Sequence, residues 1–458
     1  MPSYRDVVPE LVLLIFHPFA LLYSVLICLS CLVMMRRGFL IRPKPEGKSV
    51  VHAAEPQPPS PPTILTDPSL RIPHIPPELT DRIIDHLHND KRTLRACSRV
   101  STSWVTRSRY YLWQFVELDL KNYMKFEDIL RDNPEIGYFV KSLKTTVYFF
   151  EEKPNWLDES LPRIARRLHS VEQLTLAGNG TYRSAPFHAF PSVKKLRVLD
   201  CEFASVNEFI SLLCLLPSLE DLFSNNVLVG ASATLIKQPT SVQRPKLKKL
   251  EFLATRLDPH MFTDWMIREG IHEEIESIIL RPLQKGALIP VGRFISAVGP
   301  RLKHFEIAII ALQLQGGFRD VIGPYFDLSP ATGLRSIEFG SPAGYAARYG
   351  SDDISFSWLS MMLSQVSSPV LEEVTLWLSQ GDLLGLGTVE WKHVVSTLLS
   401  EKFKSVKKVH MRVWGQEKVI ADIRRILEIQ LKELVEKKVI EFDMHVSERK
   451  AFATLGRV

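Results

Sequence analysis

Leu371-Glu372-Glu373-Val374-Thr375-Leu376-Trp377 carries apolar residues at its first, fourth and sixth positions. The fourth and sixth have the two-residue period that puts side chains on one face of a β-strand. One copy decides little, but the spacing recurs along the chain. It appears at Val171/Leu174/Leu176, Val193/Leu196/Val198, Leu247/Leu250/Phe252, Ile275/Ile278/Leu280, Leu302/Phe305/Ile307 and Leu334/Ile337/Phe339. Beyond the quoted copy it returns at Val406/Val409/Met411 and Val439/Phe442/Met444. A weaker copy has Leu219/Leu222 with Ser224 at its third site, and Val140/Leu143 is a candidate start. Successive central positions from Leu174 to Phe442 lie 22 to 37 residues apart. Between them sit helical stretches at 207–216, 260–268, 291–298, 358–366, 392–402 and 417–434. Strand, helix, strand at this spacing predicts an α/β domain over residues 119–458, each unit burying its face against its neighbours. The competing arrangement is an ordinary α/β sheet of independent strands. A short β-α-β domain would not normally repeat one strand pattern nine or ten times.

The repeated pattern resembles a leucine-rich repeat of the long, irregular kind. That resemblance implies a solenoid with parallel strands on its concave face and helices outside. The match is degenerate: the Asn or Cys that often follows the third Leu is mostly absent, and the last periods are long. Residues alternating with the buried apolars face the open side of such strands. In the last three strands these are Glu373, Thr375 and Trp377; Lys408, His410 and Arg412; and Glu441, Asp443 and His445. Trp and Arg commonly anchor interfaces. Trp377 beside Arg412, with Lys408 and His410, is therefore the expected substrate-binding patch, against the alternative of a solvated face with cross-strand charge pairing.

Upstream, residues 75–118 predict three short helices. Pro76 and Pro77 suit a helix start at Glu78, with Leu79, Ile83, Ile84 and Leu87 along one face. Asn89-Asp90 breaks the run, and Thr93 is the expected cap of a second helix carrying Leu94, Cys97 and Val100. Ser101-Thr102-Ser103 introduces a third helix with Trp104, Tyr111, Leu112 and Phe115. So small a unit holds more apolar surface than it buries alone. Ile75-Pro76-Pro77-Glu78-Leu79, Ile83-Ile84 and the Val100 to Trp104 spacing resemble an F-box, and the wider wording is similar to the F-box-like proteins of mushroom-forming fungi. Ile75 stands where the family usually has Leu, and Ser101 where Cys often follows the Val. The resemblance implies docking on the adaptor Skp1, and through it a cullin. The downstream repeats would hold a protein substrate for ubiquitination. On this reading Pro77, Leu79, Ile83, Ile84, Leu87, Leu94, Val100 and Trp104 make the adaptor contact, several of them also being core, Trp104 first among these. The alternative is a membrane-tethered repeat scaffold whose helical hairpin only caps the solenoid.

Residues 11–35 contain no Asp, Glu, Lys or Arg. As a helix they would extend about 37 Å, enough to cross a bilayer. Arg36, Arg37, Arg42, Lys44 and Lys48 follow directly, so the positive-inside rule predicts a single-pass anchor with the bulk of the chain in the cytosol. A soluble cytoplasmic or nuclear protein is the alternative if the run is not a true anchor. A signal peptide is the other competing reading, though it wants positive charge before the run and small residues after it. It would make the chain a lumenal receptor, for which Asn179-Gly180-Thr181 is a glycosylation test. Residues 36–74 predict an extended Pro-rich linker without regular structure, and 11 of the chain's 30 prolines fall between Arg42 and Pro77.

The net charge of +6 arises from 57 basic and 51 acidic residues. With no basic block interleaved with aromatics, the chain carries no nucleic-acid signature. Cys28, Cys31, Cys97, Cys201 and Cys214 form no zinc-type pair of pairs. His86 and His88 diverge around a helix, and Gly385-Leu386-Gly387 lacks the strand and later Gly of a dinucleotide site. No Gly-x-Ser-x-Gly, P-loop or His-Glu-x-x-His appears. The expectation is a non-catalytic binding protein without metal or cofactor.

Overall fold

The computed structural model describes residues 76–148, 155–230, 244–254, 256–283, 285–309, 326–340 and 356–446. The apolar run 11–35, the Pro-rich segment 36–74 and Ile75 lie outside the described residues. Among those described, no helix is long and apolar enough to cross a membrane.

The described chain opens with three helices. α1 (Pro77–His86) starts at a proline, whose missing N–H would have no partner in the first turn anyway. α2 (Lys91–Cys97) starts after Asp90, whose carboxylate accepts the N–H groups of Arg92 and Thr93 at 3.0 Å each and the Thr93 hydroxyl at 2.6 Å. Asp90 is therefore the cap, and Thr93, expected in that role, serves it as a donor. A carboxylate on the residue just before the helix takes several N–H groups at once, which a hydroxyl inside the first turn does not. α3 (Thr102–Trp113) is capped by Ser101, which accepts from the Ser103 N–H at 3.4 Å. Asp85 of α1 takes two hydrogen bonds from Arg107 of α3, at 2.6 and 2.8 Å, and a third from the Tyr111 hydroxyl at 2.9 Å. This bidentate pair fixes the angle between the first and third helices.

A single residue after α3, the chain enters a sheet, so the helical unit ends at Trp113 rather than at residue 118. Among the described residues twelve strands form one sheet. They are β1 (Phe115–Leu118), β2 (Ser142–Thr146), β3 (Gln173–Ala177), β4 (Lys195–Leu199), β5 (Asp221–Asn225) and β6 (Lys249–Leu253). There follow β7 (Ser277–Leu283), β8 (His304–Ile309), β9 (Ser336–Phe339), β10 (Glu373–Ser379), β11 (Lys408–Gly415) and β12 (Ile440–Val446). Their order in the sheet is their order in the chain, and every pair is parallel. A doubly wound sheet reverses its order at a switch point; this one does not.

The recurring apolar spacing is what aligns the strands. Val116, Leu143, Leu174, Leu196, Leu222, Leu250, Ile278, Phe305, Ile337, Val374, Val409 and Ile440 face one another in register from edge to edge. All but Ile440 are buried. A slip of one residue anywhere would turn this row to solvent, so burial enforces the register. The connections between strands carry α4 (Tyr123–Asp132), α5 (Val206–Cys214), α6 (Pro259–Arg268), α7 (Lys285–Val298), α8 (Ser357–Gln365), α9 (Trp391–Leu398), α10 (Glu417–Gln430) and α11 (Lys432–Glu436). Phe209, Phe262, Trp265, Phe294, Trp358 and Leu427 from these helices join the strand residues in one core.

The residue directly after each of β3 to β6 has positive φ: Gly178 (99°), Asp200 (56°), Asn226 (52°) and Ala254 (50°). These left-handed steps lead toward a small parallel sheet of Thr181–Tyr182, Glu202–Phe203 and Leu228–Val229. At Gly178 a Cβ would lie 2.1 Å from the Val147 carbonyl oxygen, so only glycine fits. Asn226 and Asp200 tolerate the conformation and are joined by a side-chain hydrogen bond of 2.9 Å. Ala254 has no such compensation from its side chain.

Candidate functional site

Two surfaces gather the residues singled out in the sequence. On α1 the apolar residues divide between faces. Ile84 and Leu94 are 0% exposed, whereas Leu79 is 50% and Ile83 46% exposed. Leu79 and Ile83 are four residues apart and share one helix face. Val100, in the turn before α3, is 68% exposed, Pro77 is exposed, and Leu87 and Trp104 are half-buried. Ile84 and Leu94 are thus removed from the expected contact set, because core side chains are not available to a visiting protein. Trp104, expected foremost in the core, is only partly covered. Arg107 holds the Asp85 carboxyl below its ordinary range, chiefly by hydrogen bonding. A notch of about 310 Å³ adjoins this unit, lined by Pro77, Thr80, Asp81, Arg107, Tyr110 and Phe139 among others.

The second surface is the face of β9 to β12 opposite the core ladder. Register sets Glu373 beside Lys408, Thr375 beside His410, and Trp377 beside Arg412. On the next strand Glu441 stands beside His410 and Asp443 beside Arg412. The Arg412 guanidinium carbon sits 4.9 Å from the centre of the Trp377 ring, a cation–π placement. The Trp377 indole N–H donates to Glu338 at 2.6 Å. Lys408 pairs with Glu441 at 2.7 Å; this hydrogen bond is the main cause that raises the ammonium and lowers the carboxyl from their ordinary ranges. His410 lies 3.4 Å from the same carboxylate, and Arg412 reaches Asp443 at 3.9 Å. Trp377, Lys408, His410 and Arg412 are therefore brought onto one face. Thr375, expected to face outward, is buried between its neighbours.

Trp414 was not singled out in the sequence. It continues the Lys408, His410, Arg412 alternation by one step, and that period was the available signal. Its ring stacks on Trp377 at 6.1 Å and on His445 at 4.3 Å, with interplanar angles of 16° and 20°. Glu338 belongs to the same face; it alternates with Ile337 and Phe339, and that period was again the available signal.

The open face continues toward the middle of the sheet as a charged row. Glu306 is 4% exposed and stands in register with Glu338. The Arg281 Nε approaches it at 3.0 Å but without hydrogen-bond geometry. Burial pushes the Glu306 carboxyl up to about 7, Arg281 opposes this, and Glu338 and Glu251 add to it. Burial also lowers the neighbouring His304, whose Nδ1 lies 2.6 Å from the Ser336 hydroxyl. Among the described residues no cluster of three His, Cys, Asp or Glu side chains is placed to hold a metal ion. No family model matches the chain, and no curated protein matches it in sequence.

Proposed function

We propose that the chain is the substrate-recognition subunit of an SCF-type ubiquitin ligase. The three helices act as an F-box that docks a Skp1-like adaptor, and the repeat region acts as an irregular leucine-rich-repeat solenoid that holds the protein substrate. The observation that carries this reading is the exposure of Leu79, Ile83 and Val100 on a helical unit whose own core is already closed by Ile84 and Leu94. Leu79 and Ile83 lie one turn apart on one exposed helix face, and apolar side chains grouped in this way favour an interaction site. Trp377, Arg412 and Trp414 form the substrate patch, and Lys408 and His410 flank it. Ubiquitin transfer is then a matter of proximity, with the chemistry done elsewhere in the complex. The segment 11–35 would tether the receptor to a membrane with the rest of the chain in the cytosol; a glycan at Asn179, which is exposed, would place the repeats in the lumen and defeat the reading.

The test is co-purification of the full chain with Skp1 and cullin. Leu79→Ala with Ile83→Ala abolishes it while the far-ultraviolet spectrum stays unchanged; retained binding rejects the assignment. A second reading, a scaffold whose helices only cap the sheet, is favoured by the packing of α3 on the segments that follow. Arg109 pairs with Glu135 at 3.2 Å, and the Tyr110 and Phe139 rings meet edge to face at 6.4 Å. It predicts no adaptor binding by either protein.

A further inference from the structure

Among the described residues the large sheet ends at β12, which pairs with β11 alone. Its core-facing residues show the consequence. Val409, Met411 and Val413 of β11 are buried, but Ile440, Phe442 and Met444 of β12 are only half-covered and Val446 is 60% exposed. Ile429 of α10 and Val435 of α11 are exposed in the same closing unit. Unpaired main-chain groups beside half-covered apolar side chains are a template for another strand.

The sequence of β12 is complementary to itself. Even-numbered positions face the core and odd-numbered ones the open side, so a continuing strand must keep that parity. An antiparallel second copy centred on Met444 does so. Asp443, whose carboxylate lies 2.9 Å from His445 Nε2 of its own strand, then also stands opposite His445 of the other copy, twice by symmetry, and Phe442 opposite Val446, with Met444 against its own counterpart. A centre at Asp443 opposes two aspartates, and a centre at Phe442 opposes Glu441 to Asp443, both setting like charges face to face; a centre at His445 pairs only residues 444–446 among those described. We propose that β12 is a self-association edge, and that two copies of this chain join their sheets through an antiparallel, twofold pairing centred on Met444. An isologous contact of this kind closes on itself and leads to a dimer, not a fibre.

The register is read by cross-linking the full-length protein. Met444→Cys places the new thiol opposite itself across the twofold axis, whereas Glu441→Cys does not. Mild oxidation of the first gives a species of twice the chain's mass, with a yield at least about 5-fold above the second and above the unsubstituted protein. His445→Asp opposes aspartates across the edge and weakens association by at least about 10-fold. Adding Asp443→His to it restores the opposite pairing and recovers association. Each variant's melting curve is compared with the parent's, so loss of fold is distinguished from loss of pairing. Equal cross-linking at positions 441 and 444, failure of the double swap in folded protein, or a monomer at all concentrations overturns the proposal. The outcome is independent of adaptor binding.

Discussion

Glu306 shows how one side chain makes stability depend on pH. Its carboxyl titrates near 7 in the folded chain, because burial disfavours its charge more than Arg281 stabilises it, and near 4.5 when unfolded. Between those values the folded state keeps a proton that the unfolded state releases, so the contribution of this one carboxyl to stability falls as pH rises from 4.5 and is gone above about 7. Glu306→Gln removes this dependence and raises stability at pH 8 relative to pH 5 by about 1–3 kcal/mol, measured by urea unfolding at both pH values. Ala254 is the other exposed cost. At φ 50° its Cβ crowds the backbone, and Ala254→Gly stabilises by about 1 kcal/mol in the same assay. Neither effect was legible in the sequence. Glutamate alternating with Phe305 and Ile307 reads as a solvated residue, and the charges that act on it, Glu251, Arg281 and Glu338, come from other strands. Trp377 and Arg412 were legible because strand alternation alone puts them on one face. Their direct contact required the register of β10 on β11.

Within the helical unit, sequence spacing identified the elements but did not divide their faces. Leu79, Ile83, Ile84 and Leu87 all fit one broad helical stripe, and only the packing of α3 decides that Ile84 turns in and Leu79 out. The difference is measurable. Leu94→Ala opens a cavity in the core of the unit and costs about 2–5 kcal/mol, whereas Leu79→Ala, at a half-exposed site, costs less than about 1 kcal/mol yet weakens adaptor capture. Chemical denaturation and pull-down of the two variants separate a packing role from a docking role. The cap of α2 was misassigned to Thr93 for a local reason: both Asp90 and Thr93 are capping residues, and only the start of the helix tells them apart. Asp90→Ala should cost about 1 kcal/mol by removing an acceptor for two N–H groups.

At the scale of the whole molecule, the repeat made the strands legible from β2 to β12, including β5, whose Ser224 breaks the apolar pattern but is buried in line; in β12, however, the residue in line with Val409 is Ile440, not the expected central Phe442, which stands beside Met411. It missed β1 because Val116 and Leu118 follow the third helix without a break and read as its continuation. The ladder also predicts where substitutions cost most. Leu250→Ala, with an apolar neighbour on each side, costs about 2–5 kcal/mol, while Ile440→Ala at the half-covered edge costs less than about 1 kcal/mol in the monomer. Comparable losses at both positions in denaturant titrations would mean that the edge is covered.

Because among the described residues each strand of this sheet pairs with its predecessor and successor in the sheet's chain order, the fold has an arrow that matches the order of synthesis. A strand emerging from the ribosome would therefore have its pairing partner already translated ahead of it. Long-range pairings, which slow the folding of most sheets of this size, are replaced by a succession of shorter searches between consecutive strands.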